Sequence, residues 1–311
     1  MRFAAVFPGQ GAQSVGMLAE LAISYPVISD TYAEASEILG YNLGAIIQSG
    51  PVEALDRTQN TQPALLAAGV ALWRAWNSAG GGQPAVLAGH SLGEYTALVA
   101  SGTLDFAAGL RLVHLRGRLM QAAVPAGTGA MAAILGLEPE RVAAVCITAG
   151  TEGLVAPANL NAPGQVVISG ERRAVEKVGD LAREQGARRV IPLAVSVPSH
   201  CTLMRPAAEK LADALAGVEF CKPRIPVVNN VDIAVCDTPE LIRDALVRQI
   251  IRPVRWVETI TALKNRYNVE AVVEMGPGKV LSGLVKRCDR TLAVFPTDDV
   301  HHFDKARASL R

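Results

Sequence analysis

Short apolar runs alternate with amphipathic helical patterns along the first 124 residues of the chain. Residues 2–7 form the first run, and residues 85–88 form another between two helical patterns. Buried strands that alternate with helices are typical of a parallel sheet with crossover helices. The pattern therefore predicts an α/β domain whose strands are short and buried, and residues 271–275 predict a late strand of the same kind.

The alternation of apolar runs and helical patterns changes after residue 124, where residues 125–129 predict a linker. Six elements are predicted beyond it, namely strand 131–137, helix 139–149, strands 154–160 and 165–169, helix 171–185 and strand 187–193. The order β-α-β-β-α-β is that of a ferredoxin-like unit. We therefore predict a ferredoxin-like small domain over residues 125–195, inserted into a discontinuous large domain of residues 1–124 and 196–311.

Composition narrows the class of protein. Half of the 311 residues are hydrophobic and the formal net charge is +1, which argues against binding to nucleic acid or to an anionic membrane. No apolar run approaches the roughly 18 residues of a membrane span, and the first run is too short for a signal peptide. The five cysteines include no C-x-x-C pair, which favours free thiols in the cytoplasm over zinc ligands or disulfides.

The candidate chemistry starts at Gly89-His90-Ser91-Leu92-Gly93, which has the form G-x-S-x-G. An apolar run precedes it and a helical pattern follows it, as in a nucleophile elbow that presents a serine at a helix N-terminus. The two glycines allow a sharp turn and the close approach of a substrate carbonyl. The motif predicts acyl transfer to Ser91, and the alternative is a helix start with a chance serine between two glycines.

A serine nucleophile needs a base, and the chain has five histidines. His90 adjoins the serine but should point elsewhere, and His114 falls on the polar side of a predicted helix over residues 105–121. His301 and His302 lie in a polar tail, where a hydrolase could place its base. His200 lies where the inserted unit returns to the large domain, which is a natural place for a cleft. His200 is therefore the candidate base, with a purely structural histidine as the alternative.

Arg116 is the second clue. Leu112, Val113, Leu119 and Met120 lie three and four residues from it on the same helix, and those spacings share one face. The face is otherwise apolar, so the guanidinium should point into the interior and needs an anionic partner. That partner is either an Asp or Glu of the protein or the carboxylate of a substrate.

Together these segments carry a family resemblance. They are Phe7-Pro8-Gly9-Gln10-Gly11, Gly89-His90-Ser91-Leu92-Gly93-Glu94, Arg116, Val197-Pro198-Ser199-His200 and Gly276-Pro277-Gly278. In this order they resemble the malonyl-CoA:acyl-carrier-protein transacylases of bacterial fatty acid synthesis, from the first strand to about residue 290. An ordinary esterase shares only the elbow.

The resemblance implies a role for each matching position. Ser91 resembles the nucleophile that becomes the malonyl ester, and His200 resembles its base. Gln249 resembles the residue whose carbonyl holds that base. The backbone N–H groups of Gln10 and Leu92 match the oxyanion hole.

The resemblance also implies a substrate-binding set. Arg116 resembles the clamp on the free carboxylate of malonate, and Asn159 and Asn161 match amides that line the acyl pocket. His90 and Met120 complete the predicted set. The implied fold is an α/β-hydrolase-like large domain with a parallel sheet, together with the ferredoxin-like small domain.

The implied reaction needs no metal, nucleotide or redox cofactor, because one thioester replaces another. The implied partners are malonyl-CoA and holo acyl carrier protein, and we expect a monomer. The carrier protein is acidic in this family, so Lys286, Arg287, Arg188 and Arg189 are candidate docking residues, with solvated surface charge as the alternative.

Three alternatives to this function stay open. The segment from Val197 to His200 favours a discrete enzyme over a polyketide synthase module, but it leaves room for a stand-alone acyltransferase that serves a polyketide line. A serine hydrolase would use His301 or His302 as its base. A non-catalytic module that docks a carrier protein is the third alternative.

Overall fold

A computed structural model describes residues 1–195 and 197–310. Its strands are β1 (Phe3–Phe7), β2 (Val86–Gly89), β3 (Gly129–Leu135), β4 (Val155–Ala162), β5 (Gln165–Glu171), β6 (Arg189–Pro192), β7 (Val227–Val228), β8 (Ala271–Glu274) and β9 (Ala293–Pro296). Its helices are α1 (Ala19–Ser24), α2 (Val27–Leu39), α3 (Leu43–Ser49), α4 (Val52–Leu55), α5 (Thr58–Ser78), α6 (Leu92–Ala100), α7 (Phe106–Ala122), α8 (Pro139–Ala149), α9 (Arg172–Glu184), α10 (Arg205–Ala216), α11 (Pro239–Ile251), α12 (Trp256–Tyr267), α13 (Val280–Cys288) and α14 (Val300–Ser309). Within these ranges, no helix has the length and apolar character needed to cross a membrane.

The larger sheet consists of five parallel strands in the spatial order β7-β2-β1-β8-β9. Successive side chains of a strand point to opposite faces, so β1 contributes to two cores. Phe3, Ala5 and Phe7 pack into one hydrophobic cluster, and Ala4 and Val6 pack into another. Burial on both faces explains why these strands are continuous apolar runs. The predicted parallel sheet is confirmed.

The smaller sheet is antiparallel, with the spatial order β4-β5-β3-β6. Ala132 and Ile134 of β3 belong to a cluster that also contains buried residues of α8 and α9. Met131 and Ala133 point to the other face and form a separate apolar cluster. Met131 also lines a cleft that contains Ser91, so this second face covers part of the candidate site.

The elements of this smaller unit occur in the predicted order, but several ends differ. β3 starts at Gly129, inside the predicted linker, where a side chain at this position would collide with the Pro198 ring. β4 continues to Ala162, so the four residues between the two predicted strands, 161–164, are reduced to a turn of residues 163–164. Gly164 lies in the left-handed region at φ 67°. Ser196 and Arg311, which bound the second segment of the predicted large domain, lie outside the described residues.

Candidate active site

The elbow is built where β2 ends and α6 begins. Ser91 has φ 52° and ψ −106°, a conformation that a non-glycine residue rarely adopts. A Cβ on Gly89 would lie 1.8 Å from the carbonyl carbon of Gly93, and a Cβ on Gly93 would lie 2.0 Å from the carbonyl oxygen of Phe7. Only glycine fits at either position, so both glycines of the motif are required by the close packing of α6 on β1 and β2.

Asn230 holds the strained turn in place. Its Oδ1 accepts from the backbone N–H of Ser91 at 2.7 Å, and its Nδ2 donates to the carbonyl of Gly89 at 2.6 Å. Its own backbone N–H donates to Oε2 of Glu94 at 2.9 Å. A buried side chain that bonds both sides of a turn stabilises a conformation that would otherwise relax, and such strain is common at functional sites.

His200 lies against Ser91. Its Nε2 is 2.8 Å from Oγ of Ser91, and its Nδ1 is 2.8 Å from the main-chain carbonyl oxygen of Gln249. A carbonyl oxygen can only accept, so Nδ1 carries the hydrogen and Nε2 is free to accept the serine proton. His200 also has a positive φ of 62°, so both members of the pair are held in an unusual backbone conformation.

The environment of His200 suits a base. Burial and, as a smaller cause, the nearby charge of Arg116 lower the pKa of His200 from 6.5 to about 3, while the hydrogen bond to Gln249 opposes the shift. The neutral imidazole is therefore the dominant form at neutral pH.

Arg116 points inward, as predicted, and is only 2% exposed. Its Nη1 donates to Oε1 of Gln62 at 2.9 Å, and its Nη2 donates to Oε1 of Gln249 at 3.0 Å. Nη2 also lies 3.2 Å from Oγ of Ser91. Within the described residues Arg116 makes no ion pair with an Asp or Glu, so its charge is held by neutral oxygens beside the nucleophile.

Two further observations concern this guanidinium. Its Nε is buried and has no hydrogen-bond partner among the described residues. The guanidinium carbon lies 5.3 Å from the centre of the Tyr95 ring, which is within the range of a cation–π contact. A buried cation without an ion-pair partner among the described residues favours the second interpretation of Arg116, in which the anion comes from a substrate.

Most of the other predicted residues line the same cleft. Gln10, Leu92, Asn159, His90 and Met120 all contribute to its wall. The two residues of the predicted oxyanion hole therefore line the same cleft, Gln10 from the loop after β1 and Leu92 from the elbow at the start of α6.

The structure places the two predicted pocket amides differently, because Asn159 lines the cleft and Asn161 contacts another residue of its wall. Asn161 does not line the cleft, and its Oδ1 instead accepts from Nε2 of His90 at 2.8 Å. Asn161 lies two residues beyond Asn159 on β4. It positions a wall residue rather than forming the wall.

Three residues of the site were not predicted from the sequence. Gln62 contacts Arg116 across 54 residues of chain, and Asn230 contacts the elbow across 139 residues. Glu94 is the third, and a carboxylate within an otherwise buried helix is a signal that could have indicated it. Burial raises the pKa of Glu94 to about 7, while hydrogen bonds from Gln249 and Asn230 and the charge of Arg116 oppose that rise.

The remaining candidate bases lie elsewhere. His301 and His302 are on α14 and do not line the cleft, and Nδ1 of His302 is 2.6 Å from Oδ2 of Asp299. His114, predicted on the polar side of its helix, is half-buried, and its Nδ1 lies 3.1 Å from the carbonyl oxygen of Gln59. Of the five histidines, all of which the structure describes, only His200 is hydrogen-bonded to Ser91.

The four predicted docking residues are exposed. Arg189 on β6 is paired with Leu135 on β3, and Leu135 is paired with Gln165 on β5. Arg287 on α13 donates to Oε1 of Gln165. This row across the small sheet places Arg287 and Arg189 at the same end of the sheet, and Arg188 and Lys286 are their chain neighbours.

A parallel sheet and a cleft that brings together a strained serine, a histidine and a buried arginine fit an acyltransferase. The family model for the acyl transferase domain matches residues 5–300. The malonyl CoA-acyl carrier protein transacylase of Escherichia coli (strain K12) is 55% identical over 291 residues, which cover 94% of each chain.

Solved structures agree with this comparison. A malonyl-transacylase in complex with a holo type II PKS acyl-carrier protein has a TM-score of 0.98 and 53% identity, covering 99% of this chain and 100% of that one. An acyl carrier protein S-malonyltransferase from Vibrio cholerae O1 biovar eltor has a TM-score of 0.95 and 57% identity, covering 98% and 99%. The chain belongs to the malonyl CoA-acyl carrier protein transacylase family, within the acyl transferase domain family.

Proposed function

We propose that this enzyme transfers the malonyl group from malonyl-CoA to the phosphopantetheine thiol of acyl carrier protein, through a malonyl ester on Ser91. One observation carries the proposal. Oγ of Ser91 lies 2.8 Å from Nε2 of His200 and 3.2 Å from the guanidinium of Arg116. The nucleophile therefore has a base on one side and a carboxylate-binding cation on the other.

In the first half-reaction, Oγ of Ser91 attacks the thioester carbon while Nε2 of His200 takes the serine proton. The carbonyl oxygen becomes an oxyanion, which the N–H groups of Gln10 and Leu92 would stabilise. The carbon–sulfur bond then breaks, and His200 returns the proton to the departing thiolate of CoA. The products are free CoA and the malonyl ester of Ser91.

The second half-reaction reverses these steps with a new thiol. The phosphopantetheine thiol of the carrier protein gives its proton to His200, and its sulfur attacks the ester carbonyl. The bond to Oγ of Ser91 breaks, and Ser91 regains its proton from His200. Ping-pong kinetics follow from the covalent intermediate. The energy of one thioester drives formation of the other, so we propose that the enzyme works without a cofactor.

We assign selection of the acyl group to Arg116. A planar guanidinium can bind a carboxylate with two parallel hydrogen bonds, and such pairs are strong where water is excluded. Burial lowers the pKa of Arg116 from its ordinary value, which reflects the cost of holding this charge away from solvent, and a bound carboxylate would offset that cost.

The experiment that tests this function compares three donors. The enzyme is incubated with malonyl-CoA, acetyl-CoA or methylmalonyl-CoA, and transfer to holo acyl carrier protein is followed by intact mass. We expect malonyl transfer to exceed acetyl transfer by about 10² or more, because the malonyl group offers a carboxylate to Arg116 and the acetyl group does not. Equal transfer of malonyl and acetyl groups would contradict the proposal.

We propose that the carrier protein docks on the basic end of the small sheet, which consists of Arg188, Arg189, Lys286 and Arg287. The double change of Lys286 and Arg287 to Glu should raise the KM for the carrier protein by about tenfold, because complementary charge mainly accelerates encounter. The KM for malonyl-CoA should stay within about twofold, since neither residue lines the cleft.

The matched control reverses two charges away from this surface. Lys210 and Arg205 lie on α10 and are exposed, so their change to Glu alters the net charge equally. An unchanged carrier-protein KM in the first variant, or an equal rise in both, would remove the docking assignment.

We propose fatty acid biosynthesis as the pathway that this malonyl transfer supplies. A stand-alone acyltransferase for a polyketide line is a second candidate, supported by the relative in complex with a type II PKS acyl-carrier protein. Competition between carrier proteins of the two kinds for the malonyl-enzyme would separate the candidates by their relative kcat/KM.

We also infer the finer divisions of the fold. The sheet order β4-β5-β3-β6, with α8 and α9 on one face, supports a ferredoxin-like small domain over residues 125–195. The five parallel strands with the elbow after β2 support an α/β-hydrolase-like large domain over residues 1–124 and 196–311. Cytoplasmic location is proposed with them, supported by cysteines that are present as free thiols.

A further inference from the structure

The side chain of Gln249 lies between two buried groups of opposite charge. Its Oε1 accepts from Nη2 of Arg116 at 3.0 Å, and its Nε2 donates to Oε2 of Glu94 at 2.8 Å. Nε2 also donates to the main-chain carbonyl of Ser91 at 3.1 Å. Arg116, Glu94 and Gln249 are each at most 2% exposed, so solvent does not screen this cluster.

A buried guanidinium and a buried carboxylate attract each other strongly and normally pair directly. Here an uncharged amide separates them, with its oxygen toward the cation and its nitrogen toward the carboxyl group. Reversing the amide would turn both contacts into repulsions, so both partners fix its orientation. Gln62 offers a second neutral oxygen to the same guanidinium. Arg116 is thus held in place while its charge remains free to bind an anion in the cleft.

We propose that the side chain of Gln249 determines specificity, because it positions Arg116 with a neutral oxygen and keeps it from pairing with Glu94. The inference rests on the proposed function, in which the anion is the carboxylate of the malonyl group. It adds a role for this side chain that is separate from the main-chain carbonyl of the same residue, which accepts from His200. Changes of the side chain leave that carbonyl in the chain, so the two roles can be tested apart.

The decisive variant exchanges the two groups, as Glu94→Gln with Gln249→Glu. The buried cluster keeps one carboxyl, one amide and one guanidinium, but the carboxylate now contacts Arg116 directly. We expect the malonyl-to-acetyl ratio of kcat/KM for acylation of Ser91 to fall by about tenfold or more, mainly through a higher KM for malonyl-CoA, because the substrate must compete with an internal carboxylate. Rapid-quench intact mass gives both rates.

Gln249→Met is the second variant, in case the exchange does not fold as judged by thermal unfolding. It has similar volume and no amide, so Arg116 loses its neutral acceptor and can move toward Glu94. The same fall in the malonyl-to-acetyl ratio is expected. The matched control is Gln185→Glu, in which an exposed glutamine that accepts from Arg141 becomes a carboxylate. This change should leave the ratio within about twofold, since an exposed ion pair has little effect.

The wild-type enzyme is measured beside the variants. If it shows no preference for malonyl-CoA, the proposed function fails, whatever the variants do. If it prefers malonyl-CoA and a folded exchange or Gln249→Met variant keeps that preference, the spacer role of Gln249 is overturned and the proposed function stands.

Discussion

The Ser91→Ala variant should form no acyl-enzyme when malonyl-CoA is added. In the proposed mechanism Oγ of Ser91 accepts the malonyl group, and it is also the atom that His200 and Arg116 contact. Loss of the nucleophile in a serine enzyme typically lowers kcat by about 10⁶-fold. Intact mass after brief incubation with malonyl-CoA measures the adduct directly, and transfer to carrier protein measures the consequence.

A second serine in the same cleft provides the control. Ser199 lines the cleft next to His200 in the chain, but no hydrogen bond joins its side chain to His200 among the described residues. Ser199→Ala should therefore still form the adduct. An adduct that persists in Ser91→Ala would assign the nucleophile to another residue, and its position could be located by peptide mass.

The parts of the site that could be predicted from the sequence are those set by local geometry. G-x-S-x-G requires a sharp turn between a strand and a helix, and the steric contacts at Gly89 and Gly93 show why. The inward direction of Arg116 follows from helical spacing alone. His200 could not be assigned from local geometry alone, because the chain has five histidines and several were candidates. The resemblance to a family favoured it, and the structure then showed it paired with Ser91.

The parts that could not be predicted depend on contacts between distant segments. Asn230 reaches the elbow across 139 residues, and the side chain of Gln249 reaches Glu94 across 155. Neither contact leaves a local periodicity, since it depends on how the sheet and α11 pack. An Asp or Glu of the protein was one of the two expected partners of Arg116, whereas the structure provides two amide oxygens at this position.

The lining of the cleft also affects whether water can compete with the carrier-protein thiol for the acyl-enzyme. Met131, Leu193 and Val195 of the smaller unit form an apolar wall over the nucleophile, and His200 is only 3% exposed. An apolar wall offers no hydrogen bonds that would hold an attacking water in position. This arrangement favours a thiol carried on a long arm over water as the second acceptor, and within residues 1–195 and 197–310 no base other than His200 is hydrogen-bonded to Oγ of Ser91.

Replacement of Arg116 should separate cargo selection from chemistry. Arg116→Met keeps much of the side-chain volume but removes the charge, so malonyl acylation is expected to fall by about 10²- to 10³-fold, the cost of losing one partner of a buried charge pair. Acetyl acylation should fall much less, because acetate has no carboxylate. The matched control is Arg118→Met on the same helix, where the side chain is exposed and both rates should stay near wild type.

The same variant should change the pH dependence of acylation, measured with acetyl-CoA so that no substrate carboxylate titrates. The base form of His200 is lost as the pH falls through its pKa, which burial and Arg116 lower from 6.5 to about 3, so the wild-type rate should hold well below pH 6.5. Removing Arg116 should move this acid limb upward, although not to 6.5, because burial remains the larger cause. An equal loss of malonyl and acetyl acylation, with the acid limb unmoved, would rule out Arg116 as a carboxylate clamp that also biases the base.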